Sequence, residues 1–418
     1  MQHHKPLTLG RNFSWTFAGN LVYAACQWCI LVALAKLGTP EMVGQFTLGL
    51  AVTAPILLFA NLQLRAVQVT DAKHQYLFSD YLGLRLLTTT LALVTVVLVT
   101  LIAGYRWETS IIILVIGLAK GLESFSDVIY GLIQQNERMD YIAISLMLRG
   151  LLSLILLSAG VYLTGSVMWG AVGLAVGWAV VLVVYDIRNA VLILNNSVAL
   201  QPRWRFTTLL QLVWLALPLG FVMMLISLNT NIPRYIIEQY LGERELGVFA
   251  AMAYLTVVGG MVVNALGESA SARLAKYYAD EDGAAFWKLL LKLVAIGFLL
   301  GVSGVVVAVV MGREILTLLY QSEYALQADV FVWLMLAAGI GYVSSFLGSG
   351  VTATRQFDQF PIPFLVATIM TAGFSWLLIP RYSLVGAAWA ACASAFFSCA
   401  MTIFILFSIE RKKQKRTL

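Results

Sequence analysis

LGERELGVF (241–249) lies just past the middle of the chain, and LGTPEMVGQF (37–46) reads as the same segment with one more residue. Downstream the register holds without a gap. Gly44 falls opposite Gly247, Phe46 opposite Phe249, Asn61 opposite Asn264 and Arg65 opposite Glu268. WGAVGLAVGW (169–178) pairs in the same way with VGAAWAACAS (385–394). ERMDYIAI (137–144) pairs with RQFDQFPI (355–362), each following a segment that contains Gly131 or Gly350. The offsets, 203 to 218 residues, are about half of the 418-residue chain. Self-similarity at that period means that one structural unit is present twice.

The composition says what the unit is made of. The chain is 60% hydrophobic and 11% charged, with a mean hydropathy of +0.86, more apolar surface than a water-soluble domain can hide. Apolar runs of about 20 residues occur roughly twelve times, at 13–37, 42–67, 80–104, 109–133, 141–163, 168–194, 208–240, 246–270, 284–311, 327–351, 359–380 and 384–408. They are too long and too uniformly apolar for the alternating strands of an outer-membrane barrel. The expected fold is an all-α membrane protein of about twelve transmembrane helices. The first run is long and lacks a small-residue cleavage site, so it reads as a retained helix.

Six helices per half is an even number, so both halves start and end on the same side of the membrane. The repeat is therefore parallel, and such repeats place a substrate site at their interface. The expected organisation is a six-helix lobe at 1–194, a polar linker at 195–207, a second six-helix lobe at 208–410 and a basic tail at 411–418, with the lobes around a central cavity.

Lys and Arg in the short loops set the orientation. One side collects Lys5, Arg11, Arg65, Lys73, Arg85, Arg138, Arg203, Arg205, Arg273, Lys276, Lys288, Lys292, Arg355 and the tail RKKQKR (411–416). The other has only Lys36, Arg106, Arg244, Arg313 and Arg381. Both termini are thus expected in the cytoplasm, and the net charge of +6 is mostly a topology signal, with the tail meeting anionic lipid heads. Nucleic-acid binding would need a soluble basic face, which the chain lacks. Cys26 and Cys29 form a C-x-x-C inside the first span, and Cys392 and Cys399 lie on the last. All four read as packing residues. The three histidines, His3, His4 and His74, build no metal cluster, and no cofactor motif is present.

Ionisable groups in the hydrocarbon core mark functional sites unless they are paired. GLAKGLESFSDVIYGL (117–132) sets Lys120, Glu123 and Asp127 on one helical face, either as a self-neutralising ladder or as a polar wall in which the acids titrate. Arg149 lies more than two turns inside the fifth run, too deep for a loop charge unless it snorkels. Arg65 and Glu268 close matched helices, with Asn61 and Asn264 one turn deeper. In SLNTNIPRYIIEQYLG (227–242), Arg234 stands beside Asn229, Asn231 and Pro233, with Glu238 one turn on as an alternative ion-pair partner. Pro218 and Pro233 are expected to kink or unwind this helix, and irregular backbone at membrane depth is tolerated where it lines a cavity. Asn20 and Gln27 add a polar stripe to the first helix, facing a wet interior or bonding to another helix.

RNFSWTFAGNLVYAACQWCILVALAKLGTPEMVGQFTLGLAV (11–52) resembles the opening of the polysaccharide-transporter branch, the Wzx-type flippases, of the multidrug/oligosaccharidyl-lipid/polysaccharide exporter superfamily. IPRYSLVGAAWA (379–390) resembles the segment that opens the last helix in that branch, with Ser383 where a glycine is usual. The resemblance implies a flippase, not an enzyme. It implies movement of a polyprenyl-diphosphate-linked oligosaccharide across a bacterial inner membrane by alternating access. Its partners would be that lipid-linked glycan, membrane lipids, a coupling ion (proton or sodium) and a polysaccharide polymerase.

On this reading Arg65, Arg149 and Arg234 bind the diphosphate or an acidic sugar, because guanidinium suits bidentate oxyanion recognition. Asn20, Gln27, Asn61, Asn229, Asn231 and Asn264 line the path, and Lys120, Glu123, Asp127, Glu238 and Glu268 are the coupling candidates. Two alternatives remain open. A cation-coupled multidrug exporter of the same superfamily would want a membrane-embedded acid, commonly in the first helix. A membrane glycosyltransferase or polymer ligase would want an acidic external loop, for which REILTLLYQSEYALQAD (313–329) is the one candidate.

Overall fold

Long apolar runs leave the backbone one way to satisfy its polar groups inside a membrane, the α-helix, and the described apolar runs take it. The computed structural model describes residues 7–71, 75–194, 201–354 and 361–417, without the side chains of 9, 268, 272, 361–363 and 410–417. Lys5, Lys73, Arg355, all three histidines, residues 195–200 of the expected linker and the side chains of Glu268 and of the basic tail therefore lie outside the described residues. Among the described residues there is no strand.

Helix α1 spans Leu9–Leu37 and α2 spans Pro40–Asn61, the latter opened by Thr39, whose hydroxyl accepts from Met42 N at 3.4 Å. Leu62 and Gln63 take positive φ values of 51° and 49°, which stops α2 and starts the short α3, Leu64–Thr70. Then come α4 (Phe78–Ala103), α5 (Trp107–Gln135) and α6 (Met139–Thr164). Helix α7, Val167–Val180, widens into a π-type turn at Val181–Asp186 and continues as α8, Ile187–Leu194. Helices α9 (Phe206–Leu241), α10 (Glu243–Ala279), α11 (Gly283–Leu319), α12 (Ala328–Ala353) and α13 (Pro361–Thr417) complete the chain.

Among the described residues ten helices are long and apolar enough to cross a membrane, two fewer than the runs counted in the sequence. Helix α5, with Lys120, Glu123 and Asp127, is not among the ten, and the last two runs fall in one 46-residue stretch, Phe364–Ile409. That stretch is broken at Ser383, where φ is 52° and ψ −137°. The protein is a multi-pass, all-α membrane protein.

The chain divides into two compact units, Met1–Ser227 and Leu228–Leu418. The division falls inside α9 and not in the segment 195–207. Leu209, Leu212 and Ala216, on the first half of α9, are buried in the same core as Leu84, Val128 and Ile142, so that half belongs to the first unit. Within the first unit α1 lies directly along α6, where a Cβ at Gly19 would sit 2.6 Å from Ala143 Cα. The second unit has its own core around Phe286, Leu290 and Phe346. The prolines do not unwind α9, because the chain stays helical through Pro218 and Pro233. Each removes one backbone donor yet keeps φ at a helical value.

Candidate functional site

In the first unit, helices α3, α4, α5, α6 and the π-type turn bring seven charged side chains together. Burying charge costs several kcal/mol per ion unless each finds partners, and the pairing is dense. Arg149 is 1% exposed, with Nη1 3.8 Å from Glu123 and Nη2 3.3 Å from Asp186. Its guanidinium also lies 5.6 Å from the Tyr130 ring centroid and 5.5 Å from that of Trp178. Asp186, fully buried, accepts from Ser126 at 2.6 Å and Ser145 at 2.5 Å. Lys120 donates to Glu123 at 2.8 Å and stands 5.0 Å from the Trp178 ring. Tyr23 on α1 donates to the same carboxylate at 3.5 Å.

One turn further along α5, Asp127 sits between two arginines. Arg85 lies 3.2 Å away and has no exposed side-chain surface, and Arg65 lies 3.9 Å away at 31% exposure. Arg85 also donates to Asn61, and Arg65 to Gln134 at 3.0 Å. Lys120, Glu123 and Asp127 thus do not form one ladder, since Asp127 pairs across helices. The group has four cations and three carboxylates, and Arg65 is the least buried and most loosely paired arginine.

The second unit is built differently. It contains a cavity of about 710 Å³ lined by Arg234 and Asn229 of α9, Tyr254 and Thr256 of α10, Ser344 and Ser345 of α12, and Thr371, Ser394 and Ser398 of α13. Arg234 donates to Asn231 at 3.0 Å. Among the described residues no ion pair joins it to Glu238, whose neighbouring charge is Glu243. Asn229 accepts from Thr371, which also bonds Ser394 at 2.8 Å. The segment 313–329 is no open loop: Arg313 to Leu319 continue α11, Tyr320 and Tyr324 are fully buried, and Tyr320 bonds Ala251 O at 2.8 Å. Arg244 pairs with Glu323 beside it.

The remaining predicted residues are scattered. Asn20 is exposed and bonds back to Thr16 O at 2.9 Å. Gln27 is half-buried, its Nε2 without a partner among the described residues. Asn264 is exposed, unlike its counterpart Asn61. Two residues of the cluster were not singled out as site candidates. Arg85 counts in the sequence as a cytoplasmic charge, yet it is fully buried in α4, because Asn61 and Asp127 supply partners. Asp186 lies inside the run 168–194 as Arg85 lies inside 80–104. Charge within a span was the signal in both cases.

A family described as polysaccharide biosynthesis protein matches residues 9–272. The capsular polysaccharide biosynthesis protein CapF of Staphylococcus aureus is 33% identical over 386 residues, covering 90% of this chain and 94% of that protein. Among solved structures, the lipid II flippase MurJ in an inward closed conformation is similar at a TM-score of 0.72 and 14% identity, covering 95% of this chain and 87% of that one. An inward-facing multidrug transporter of the MATE family gives a TM-score of 0.67 at 15% identity, covering 95% and 99%. These structures share the fold with this chain, and both are of transporters, not enzymes.

Proposed function

The chain belongs to the polysaccharide biosynthesis protein family, and from that membership we propose that it flips a polyprenyl-diphosphate-linked oligosaccharide across a bacterial inner membrane. Movement runs from the cytoplasmic to the external leaflet by alternating access, with both termini in the cytoplasm. The observation that carries this reading is Arg234, a permanent cation without a carboxylate partner among the described residues, in a cavity lined by hydroxyls. An oxyanion with sugars attached is the cargo that such a lining complements. Arg65, with its single loose ion pair and 31% exposure, is the corresponding candidate in the first unit.

Arg149 has a positioning role on this reading, held between two carboxylates and two rings. Glu123 and Asp127, each shared between two cations, are the acids at which a coupling proton or sodium would act. The flipped product would pass to a polysaccharide polymerase. A cation-exporting function is less well supported: α1 contains no acid, and among the described residues the one charge lining the second unit's cavity is positive.

The test is leaflet exchange. Purified protein is reconstituted into vesicles carrying fluorescent lipid-linked oligosaccharide in both leaflets, and an impermeant reagent bleaches the outer pool. Active protein should expose nearly all of the signal. A protected fraction equal to that of protein-free vesicles refutes the proposal.

A further inference from the structure

Trp333, Tyr382 and Trp389 have no aromatic counterparts in the first half of the chain. Helices α5 and α12 end at Gln135 and Ala353, the same 218-residue offset that relates ERMD (137–140) to RQFD (355–358). In that register Trp333 falls opposite Val115, Asp329 opposite Ile111, Arg381 opposite Leu163 and Tyr382 opposite Thr164. In the register of WGAV and VGAA, 216 residues, Trp389 falls opposite Gly173. Gly173 lets α7 close onto α6, for a Cβ there would lie 2.5 Å from Leu156 O. The second unit puts an indole at that position. Nothing in the shared sequence pattern requires these side chains.

The three rings meet in the second unit, between α12 and the break in α13. The Trp389 ring centroid lies 5.9 Å from that of Trp333 at 87° and 5.1 Å from that of Tyr382 at 55°. Cys392 Sγ donates to Trp333 O at 3.3 Å, tying α13 to α12 at that level. Tyr382 directly precedes Ser383, whose φ of 52° and ψ of −137° break the helix. Strain of that kind gathers at ligand clamps. Trp333 and Tyr382 are exposed, as are Asp329, one turn before Trp333, and Arg381, beside Tyr382. Trp389 is half-buried, and its indole nitrogen is buried with no acceptor among the described residues.

Aromatic side chains also collect at membrane interfaces, but there each keeps its polar tip among the headgroups. Trp389 has its ring against two others and its N–H shut in. An alkyl chain has no atom to offer that donor. A sugar has hydroxyl oxygens for it, and C–H bonds on its ring face for the electron-rich faces of tryptophan and tyrosine. Asp329 accepts from the remaining hydroxyls and Arg381 donates to them.

We propose that Trp333, Tyr382 and Trp389 form a binding site for a pyranose ring, held by its C–H face and apart from the second unit's cavity. Stacking and hydrogen bonds suffice, so the ligand needs no charge. On the orientation proposed above, Arg381 lies on the external side, and the site receives the sugar chain once the lipid has crossed. The inference rests on the flippase reading and names where the sugars of the same cargo are held.

The experiment is saturation-transfer NMR on the purified full-length chain in nanodiscs. The probes are free hexose, N-acetylhexosamine and 6-deoxyhexose as pyranoses, sorbitol as an acyclic polyol and choline as a lipid headgroup. At least one pyranose should receive saturation, mainly at the protons of one ring face, and sorbitol and choline should not. Tyr382→Ala and Trp389→Ala should each weaken binding about 3- to 10-fold, the contribution of one ring contact. Tyr382→Phe should retain it, because the ring is kept. Tyr382 is exposed, so its variants keep the test open should Trp389→Ala misfold. No transfer to any pyranose, transfer to sorbitol or choline as strong as to the sugars, or unchanged binding in Tyr382→Ala overturns the site. Leaflet exchange in the same preparation separates the two readings. Exchange without sugar binding sinks the site alone, and sugar binding without exchange sinks the flippase.

Discussion

The first unit places seven charged side chains in its interior and pairs them. The second places one arginine against a cavity and gives it an asparagine. In the register read from the sequence the helices of the two units correspond, and on that register the difference lies in their side chains. A buried ion network resists rearrangement, because breaking any pair strands a charge in a medium that cannot solvate it. A hollow lined by hydroxyls and a cation is prepared for a guest.

The largest effect that would break this comparison is loss of one partner in the first unit. Arg149→Ala leaves Asp186 and Glu123 without their shared cation and should cost about 3–5 kcal/mol, read as lost thermal stability of the detergent-purified protein. The double substitution Arg149→Met, Asp186→Leu should recover most of that loss, since apolar side chains of similar size replace a buried pair at little cost. A double variant as unstable as the single one would mean that the pair itself, and not its completeness, holds the unit together.

Next in size is the contrast in the second unit. Arg234→Ala strands no counter-charge, so stability should change by less than about 1 kcal/mol while surface glycan export is lost. Arg65→Ala should behave likewise, because Asp127 keeps Arg85. Normal surface polysaccharide in both variants, at normal membrane levels, would remove these two arginines from the mechanism.

The smallest effect lies at a matched turn. Gly165, after α6, has φ 65° and costs nothing there. Its counterpart at the 218-residue offset is Ser383, at φ 52° and ψ −137°, where a side chain is strained by about 1–3 kcal/mol. Ser383→Gly should raise the melting temperature by a few degrees, and Gly165→Ser should lower it. Opposite signs in the two variants would support the register on which the comparison of the units depends.

The sequence alone pointed to the helices and their approximate limits, and it supplied the register in which the two halves are compared. Apolar length and internal register are local or directly comparable along the chain, and Ser383 stood out there as a departure from a glycine. Lys120, Glu123, Asp127, Arg149 and Arg234 were legible for the same reason, as charges inside apolar runs. What tertiary structure decided was the partner of each. Arg85 reads as a loop charge until Asn61 and Asp127 are seen beside it, and Asp186 is unremarkable until a π-type turn presents it to Arg149, 37 residues away. Pairing across helices depends on which faces meet, and hydropathy does not encode that. The cavity was least legible of all, because it is a volume left by small side chains from four helices, and no single residue announces an empty space.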